Sequence, residues 1–180
     1  MKITVISDTH LKPQHPIDIL PVPLLNMLTR SDMIVHAGDF VSMDCYNELN
    51  SMNRLIGVAG NMDTPELKQI LPGHTTFEID GIRIGVTHRG QLSSTNVTGL
   101  GYFARELKVD LLIFGHIHTP KLYTIGDITL LCPGSPTSPR LSEPSAAELT
   151  IQDGKVSAAI VNFQGDVCDS ISFARSLSRK

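Results

Sequence analysis

Acidic, amide and imidazole side chains occur along this 180-residue chain in five short clusters, each of which follows a short apolar run. The clusters are Asp8-Thr9-His10, Gly38-Asp39, Gly60-Asn61-Met62-Asp63, His88 and Gly115-His116-Ile117-His118. Carboxylate and amide oxygens mixed with imidazoles, with no thiolate among them, suit Mn²⁺, Fe or Zn²⁺ better than a thiol-binding ion or an all-oxygen Ca²⁺ site. The pattern therefore predicts metal-ion chemistry.

The number of donors in these clusters indicates two ions. The candidate ligands are Asp8, His10, Asp39, Asn61, His88, His116 and His118. They exceed the four ligands of a tetrahedral structural site, so a mononuclear structural site is the weaker interpretation. Two ions about 3.5–4 Å apart, sharing one carboxylate, can hold a hydroxide between them and clamp a phosphate. We therefore expect in-line attack of a metal-bridging hydroxide on a phosphate ester, without a covalent enzyme intermediate.

The apolar runs before the clusters predict the strands that position these side chains. The runs are Lys2–Ser7, Met33–Ala37, Arg54–Ala59 and Leu111–Phe114. Their lack of alternation suits central strands that are buried on both faces. Ligands bind beyond the carboxyl ends of such strands, so distant clusters can meet at one edge of the sheet. We expect the glycines beside Asp39, Asn61 and His116 to let the backbone bend sharply there.

Helix signals lie between the strands, and hairpin signals dominate the second half. Helices are predicted over Pro23–Leu28, after a cap at Ser42, from Thr64-Pro65 to Leu71, and along Val97, Leu100, Ala104 and Leu107. Hairpin turns are predicted at Asp80-Gly81, Gly126-Asp127 and Asp153-Gly154. The expected class is α/β, with a two-sheet core and helices outside, in one domain over residues 1–180. The tail 165–180 is left unassigned.

Composition limits the partners and the compartment. Hydrophobic residues make up 41% and the net charge is -3, so neither a nucleic acid nor an anionic membrane is an obligatory partner. Cys45, Cys132 and Cys168 form no CxxC pair, which indicates reduced thiols. No apolar stretch approaches the ~18 residues that span a bilayer, and no signal peptide is evident. We expect a soluble, cytoplasmic protein.

In order, D-x-H, G-D, G-N, H and G-H-x-H resemble the signature of the calcineurin-like metallophosphoesterases. The closest likeness is to their small single-domain phosphodiesterase group, which is related to the retromer small subunit. The resemblance runs over about Met1–Arg140 and includes Pro133-Gly134-Ser135 and Pro139-Arg140. It implies a four-layer α-β-β-α sandwich with two mixed sheets, and it suggests a small homo-oligomer.

The resemblance also implies how the ligands are shared. Asp8, His10 and His118 would hold the first ion, Asn61, His88 and His116 the second, and Asp39 would bridge the two. Manganese is the favoured metal, with Fe, Ni and Zn as alternatives.

Three departures from the family pattern affect the expected chemistry. Met62 stands where much of the family has a histidine that protonates the leaving group or stabilises the transition state. The catalytic acid therefore stays unknown, and we expect a preference for good leaving groups. Arg89 follows His88 where relatives have glycine; it either binds a phosphate oxygen of the substrate or points to solvent. Cys132 replaces an asparagine and is expected to be buried and inert.

Two further residues have expected supporting roles. Asp63 is expected to cap the following helix, and His36 could at most support a metal ligand.

The leading hypothesis is a metal-dependent phosphodiesterase that hydrolyses a small phosphodiester, such as a cyclic nucleotide or a 2′,3′-cyclic phosphate. The alternative is a non-catalytic protein-interaction module that keeps the fold and the metal site, as in the retromer small subunit. That relative has Asn in place of the bridging Asp and Asp in place of the Asn of G-N, whereas this chain keeps Asp39 and Asn61. The retained ligand types favour the enzyme.

Overall fold

Two mixed β-sheets and four helices make up the part of the chain that the computed structural model describes, which is residues 1–14, 17–93 and 97–164. The strands are β1 (Lys2–Ile6), β2 (Met33–His36), β3 (Leu55–Gly57), β4 (His74–Ile79), β5 (Ile82–Thr87), β6 (Leu111–Phe114), β7 (Lys121–Ile125), β8 (Ile128–Cys132), β9 (Ser145–Gln152) and β10 (Lys155–Asn162). The helices are α1 (Val22–Arg30), α2 (Met43–Met52), α3 (Pro65–Ile70) and α4 (Thr98–Leu107), with short 3₁₀ turns at Ile17–Ile19 and Gly90–Ser93. The unassigned tail and Cys168 lie outside the described residues.

The first sheet has the strand order β10-β9-β1-β2-β3, and the second has the order β4-β5-β6-β8-β7. Three neighbouring strands run parallel in each sheet: β1, β2 and β3 in the first, and β5, β6 and β8 in the second. The pairs β9–β10, β4–β5 and β7–β8 are antiparallel hairpins, so all three predicted hairpin turns are present. The parallel centres direct several carboxyl ends toward the same edge of each sheet.

Three clusters of apolar side chains fill the spaces between the layers of the fold. The first lies between the two sheets and contains Val5, Val35, Val86 and Ile113, all fully buried. The second packs α1, α2 and α3 on the outer face of the first sheet, and the third packs α4 on the outer face of the second sheet. This is the predicted four-layer α-β-β-α arrangement. The sheets bury both faces because the residues of β1, β2 and β6 are apolar on both sides.

The predicted helices are confirmed, with small differences in their ends. Ser42 caps α2 by accepting a hydrogen bond from Cys45 N–H, and Thr64 caps α3 by accepting one from Leu67 N–H. The prediction of a central strand over Arg54–Ala59 is wrong. Only Leu55–Gly57 is strand, and β3 is an edge strand whose residues are half-buried because it pairs with β2 alone. None of the helices in the described residues is long and apolar enough to cross a membrane.

Candidate metal centre

The two sheets meet at the edge where β1, β2, β5 and β6 end. The backbone N–H of His116, after β6, donates to the Asp8 carboxylate after β1, with 3.0 Å between N and Oδ2. The Nδ1 atom of His88, after β5, lies 2.7 Å from the Ala37 carbonyl oxygen after β2. Each contact joins one sheet to the other. The junction brings the seven predicted side chains into one cluster.

One half of the cluster comes from the ends of β1 and β6. The His118 Nε2 atom lies 3.3 Å from Asp8 Oδ1 and 3.2 Å from His10 Nε2. The ligand atoms of Asp8, His10 and His118 all lie within 4.8 Å of one another. Asp39 faces this half as well, since its Oδ2 atom lies 3.6 Å from His10 Nε2. These four side chains could hold one metal ion.

The other half comes from the ends of β2, β3, β5 and β6. The Nε2 atom of His88 lies 3.3 Å from Asp39 Oδ2 and 3.1 Å from Asn61 Oδ1. His116 turns its Nδ1 atom to within 2.9 Å of the same Asn61 oxygen. The Oδ2 atom of Asp39 therefore faces a histidine of each half. These four side chains could hold a second ion, with Asp39 shared.

The donor set fits cations. Ser138 O accepts from Nδ1–H of His118 at 2.5 Å, and Ala37 O accepts from Nδ1–H of His88, so in the neutral form of each ring the Nε2 atom presents a lone pair to the cluster. Unprotonated nitrogens and carboxylate oxygens this close repel one another unless positive charge lies between them. Nitrogen and oxygen donors in this arrangement are therefore suited to divalent metal ions.

The pKa shifts of three of the four histidines in the cluster agree with that conclusion, while burial raises the pKa of Asp8. Burial lowers the pKa of His10, His116 and His118, which favours the neutral imidazole that binds metal ions. At His88, burial acts in the same direction but is outweighed by the hydrogen bond to Asp39 and the charge of Asp8, and the pKa is raised. The environment of His88 thus attracts positive charge.

Five of the seven side chains stand on backbone in the left-handed region. The φ angles are 53° at Asp8, 46° at His10, 62° at Asp39, 83° at His116 and 59° at His118. Each such non-glycine residue costs about 1–3 kcal/mol and persists only where the surrounding structure enforces it. These turns let both members of each i, i+2 pair face the cluster directly after the strand ends.

Glycines allow the close approach of the loops. Gly38 has a φ of 92°, and a Cβ atom there would lie 2.6 Å from His88 Nδ1. A side chain at Gly60 would collide with Asp39, and one at Gly115 would collide with the Ala37 carbonyl. The predicted sharp bend is present at Gly38, where the positive φ lies in the left-handed region. At Gly60 and Gly115 the requirement is space, not a positive φ.

The buried Asp63 carboxylate ties two site loops together. It accepts hydrogen bonds from the backbone N–H groups of Gly60 at 2.7 Å, Val41 at 2.7 Å and Asp39 at 3.2 Å. The prediction that Asp63 caps the following helix is wrong, because Thr64 is the cap. The loop after β3 is thereby fixed to the loop that carries Asp39. Sequence reasoning found no signal for this role, since the three N–H groups come from two different loops.

His36 links two other turns from inside β2. Gly38 N–H donates to its Nδ1 atom at 3.2 Å, and its Nε2 atom lies 3.0 Å from the Thr9 hydroxyl. The ring is fully buried and stacks on Phe40, with 3.5 Å between the ring centroids. Burial holds the pKa of His36 well below its usual range. The structure thus places His36 behind the Asp8–His10 and Gly38-Asp39 turns, as a support for both.

The remaining predicted residues have plain positions. The Arg89 guanidinium lies over the Phe103 ring at 4.8 Å, while the residue also lines a cavity of about 300 Å³ beside Asn61, His88 and His116. Cys132 is fully buried and burial raises the pKa of its thiol, so the prediction of an inert cysteine is confirmed.

Comparison with known proteins agrees with the geometry. The family model described as "Calcineurin-like phosphoesterase superfamily domain" matches residues 1–154. A probable metallophosphoesterase of Methanothermobacter thermautotrophicus is 38% identical over 97% of this chain and 100% of its own length. A phosphodiesterase of Methanocaldococcus jannaschii is 26% identical over 74% of this chain and 83% of its own. Wild-type Vps29 from Entamoeba histolytica, crystallised with Zn²⁺, aligns with a TM-score of 0.72 and 26% identity, over 91% of this chain and all of its own.

Proposed function

We propose that this chain, which belongs to the calcineurin-like phosphoesterase superfamily, is a dinuclear metal-dependent phosphodiesterase acting on a small phosphodiester. The observation that carries the proposal is the position of Asp39. Its Oδ2 atom lies 3.6 Å from His10 Nε2 and 3.3 Å from His88 Nε2, between the two halves of the cluster. A structural metal site has no need for a carboxylate shared between two sets of donors.

The residues that would hold the ions are the seven predicted ones. Asp8, His10 and His118 would hold the first ion, Asn61, His88 and His116 the second, and Asp39 would contact both. When bound, such ions supply a water of lowered pKa as the nucleophile and positive charge for the phosphoryl oxygens. Manganese is the favoured metal, and Fe, Ni and Zn suit the same donors.

Hydrogen bonds from neighbouring groups fix the orientation of the two carboxylate ligands. The Met62 backbone N–H donates to Asp39 Oδ1 at 2.7 Å, which leaves Oδ2 to face both halves. The Ser7 hydroxyl donates to Asp8 Oδ2 at 2.7 Å and orients the other carboxylate. With both carboxylates fixed by hydrogen bonds, little reorganisation accompanies binding of the phosphate ester.

The leaving group receives less help. The side chain of Met62 is 57% exposed beside the cluster and carries no proton to donate. The enzyme should therefore favour esters whose leaving group departs without protonation, such as nitrophenolate or a stabilised ribose oxygen. Arg89 lines the cavity beside His88 and His116, where it would be available for a phosphate oxygen if its guanidinium leaves Phe103.

The test is hydrolysis of bis(p-nitrophenyl) phosphate by metal-stripped protein, with and without Mn²⁺, for the wild type, Asp39→Asn and Asp127→Asn. Asp127 is an exposed acidic residue of the β7–β8 turn and serves as the matched control. We expect turnover only with metal, a loss of at least about 10²-fold in Asp39→Asn, and no change in Asp127→Asn. Metal-independent turnover, or full activity of Asp39→Asn, would contradict the proposal.

A second candidate is a protein-interaction module, which the structural likeness to Vps29 over 91% of this chain favours. The same experiment separates the two candidates. If calorimetry detects two bound Mn²⁺ ions while no diester is hydrolysed, the interaction module becomes the better explanation.

A further inference from the structure

A cavity of about 540 Å³ adjoins the cluster on the side of His10. Four segments line it: the turn after β1, the entry to α1 with Ile19 and Pro21, the loop between β8 and β9 with Pro136 and Pro139, and Gln164 after β10. Its volume is within the range of about 300–1,000 Å³ that holds ligands of drug size. The metal centre described above does not itself use this space.

The walls of the cavity are mainly apolar. Leu11 and Pro136 are buried, Ile19 stands at the mouth, and no Asp, Glu, Lys or Arg side chain is among the lining residues. Hydroxyl and amide groups, including Ser138 and Gln164, provide the polar contacts. A flat, uncharged ring system with a few polar edges suits such walls, whereas a second phosphate or a carboxylate would find no counter-charge.

Hydrogen bonds hold the cavity open next to the cluster. The Thr137 hydroxyl donates to Thr9 O at 2.5 Å, and the Ser135 hydroxyl donates to Asp8 O at 2.7 Å. The loop that forms one wall also positions His118, whose Nδ1 donates to Ser138 O. The cavity and one half of the cluster are therefore fixed by the same loop, and a molecule bound at the cluster can extend directly into the cavity.

The opposite side of the cluster is different. There the smaller cavity of about 300 Å³ is lined by Arg89 together with Asn61, His88 and His116. The two sides offer unequal space to the two substituents of a phosphodiester, and only the smaller cavity is lined by an arginine. The apolar side is the larger, so the larger and less polar substituent fits there.

We propose that the cavity beside His10 binds the substituent that stays on phosphorus, and that this substituent is an aryl or nucleoside group. The inference rests on the proposed function and narrows its substrate class to phosphodiesters that carry such a ring-bearing group. In an in-line displacement the leaving group departs opposite the attacking oxygen, and the retained substituent points sideways. The cavity beside His10 adjoins one half of the cluster, and the smaller cavity adjoins the other half.

The test uses three p-nitrophenyl phosphodiesters with the same leaving group and a different retained group: methyl, phenyl and thymidine 5′-yl. We expect kcat/KM of the Mn²⁺-loaded protein to be at least roughly tenfold higher for the phenyl and thymidine esters than for the methyl ester. Ile19→Trp, which fills the mouth from a side chain that is 57% exposed, should raise KM for the two larger esters about tenfold and leave the methyl ester unchanged. The matched control is Val22→Trp, because Val22 is 68% exposed nearby but does not line the cavity.

A binding measurement separates this inference from the proposed function. Calorimetry should show that thymidine 5′-monophosphate binds the Mn²⁺-loaded protein more tightly than inorganic phosphate does, and that Ile19→Trp removes the difference. Equal kcat/KM for the three esters, or an equal effect of Ile19→Trp on all of them, would overturn the inference while the phosphodiesterase stands. If no ester is hydrolysed, the proposed function fails, and the monophosphate measurement alone decides whether the cavity binds a nucleoside group.

Discussion

At the residue scale, the backbone of Met62 supports the metal cluster, whereas its side chain lies where an acid for the leaving group would be expected. Its backbone N–H holds the Asp39 carboxylate, and its side chain is largely exposed. The first role does not depend on the side chain. The side chain can therefore be replaced without removing the hydrogen bond to Asp39. This makes position 62 suitable for testing the effect of an acid that protonates the leaving group.

We expect Met62→His to increase hydrolysis of diesters with poor, alkyl leaving groups by about 10²-fold, because a positioned acid contributes this much or more. Esters of p-nitrophenol should gain little. The pH profile of kcat should acquire a falling limb at high pH as the new imidazolium loses its proton, a limb that we expect to be absent from the wild type. The measurement is steady-state kinetics over a range of about pH 5–9 with both ester types.

Met62→Leu is the control for this change, because it keeps the amide and adds no titratable group. Equal gains in Met62→Leu and Met62→His would mean that the effect comes from access to the site. A wild-type profile that already falls at high pH through a protein group would contradict the absence of an acid.

At the element scale, the site depends on hydrogen bonds between the loop after β2 and the loop after β3. Asp63 holds the loops after β2 and β3 together through three backbone N–H groups. Because β3 is a short edge strand, its own pairing with β2 fixes Asn61 only weakly. The buried Asp63 carboxylate therefore fixes the position of this loop, a role that strand pairing has elsewhere in the sheet.

We expect Asp63→Ala to lower the free energy of unfolding by about 1–3 kcal/mol for each N–H group left buried without a partner. It should also weaken Mn²⁺ binding, since Asp39 and Asn61 lose their common support. Urea unfolding and calorimetry measure the two effects, with exposed Asp127→Ala as the control. Unchanged Mn²⁺ affinity in folded Asp63→Ala protein would show that Asp63 supports stability alone.

The strands and the donors after them could be predicted from the sequence because both signals are local. β1 and β6 are largely apolar runs followed closely by Asp8 and His116, and within each sheet the parallel strands place their carboxyl ends at one edge. That the edges of two different sheets meet was not part of the prediction. The edge position of β3 could not be predicted, because Leu55–Gly57 is as apolar as a central strand. Strand order depends on which neighbours pair, and a single run does not carry that information.

Long-range contacts account for the other features that sequence reasoning missed. The Asp63 carboxylate accepts hydrogen bonds from backbone amides of two loops, which no local signal indicated. A supporting role of His36 was predicted, but its contact with Thr9 at a different strand end was not. The cavity beside His10 combines Ile19 with Pro136, more than a hundred positions away. These contacts join residues that are far apart in the sequence, so no local pattern or motif indicates them, even where a residue such as Asp63 or Thr9 lies inside a motif.

At the scale of the whole molecule, the cluster lies across the junction of the two sheets. Asp8 and Asp39 follow strands of the first sheet, whereas His88 and His116 follow strands of the second. An unfolded chain does not bring these side chains together, so metal ions should bind the folded state almost exclusively. Metal binding and folding stability are therefore coupled.

We expect Mn²⁺ at about 100 times its Kd to stabilise the protein by about 2.7 kcal/mol for one site. In a protein of this size, 1 kcal/mol shifts Tm by about 2–4 °C, so each bound ion should raise Tm by about 5–10 °C, and the rise should be lost when EDTA removes the metal. Differential scanning calorimetry measures the shift, and Asp39→Asn should lose most of it because both halves lose their common carboxylate. Asp127→Asn should show the full rise. Since the ligands come from both sheets, hydrogen exchange should slow at the ends of β1 and β5 together, and protection confined to one sheet would contradict a site shared between them.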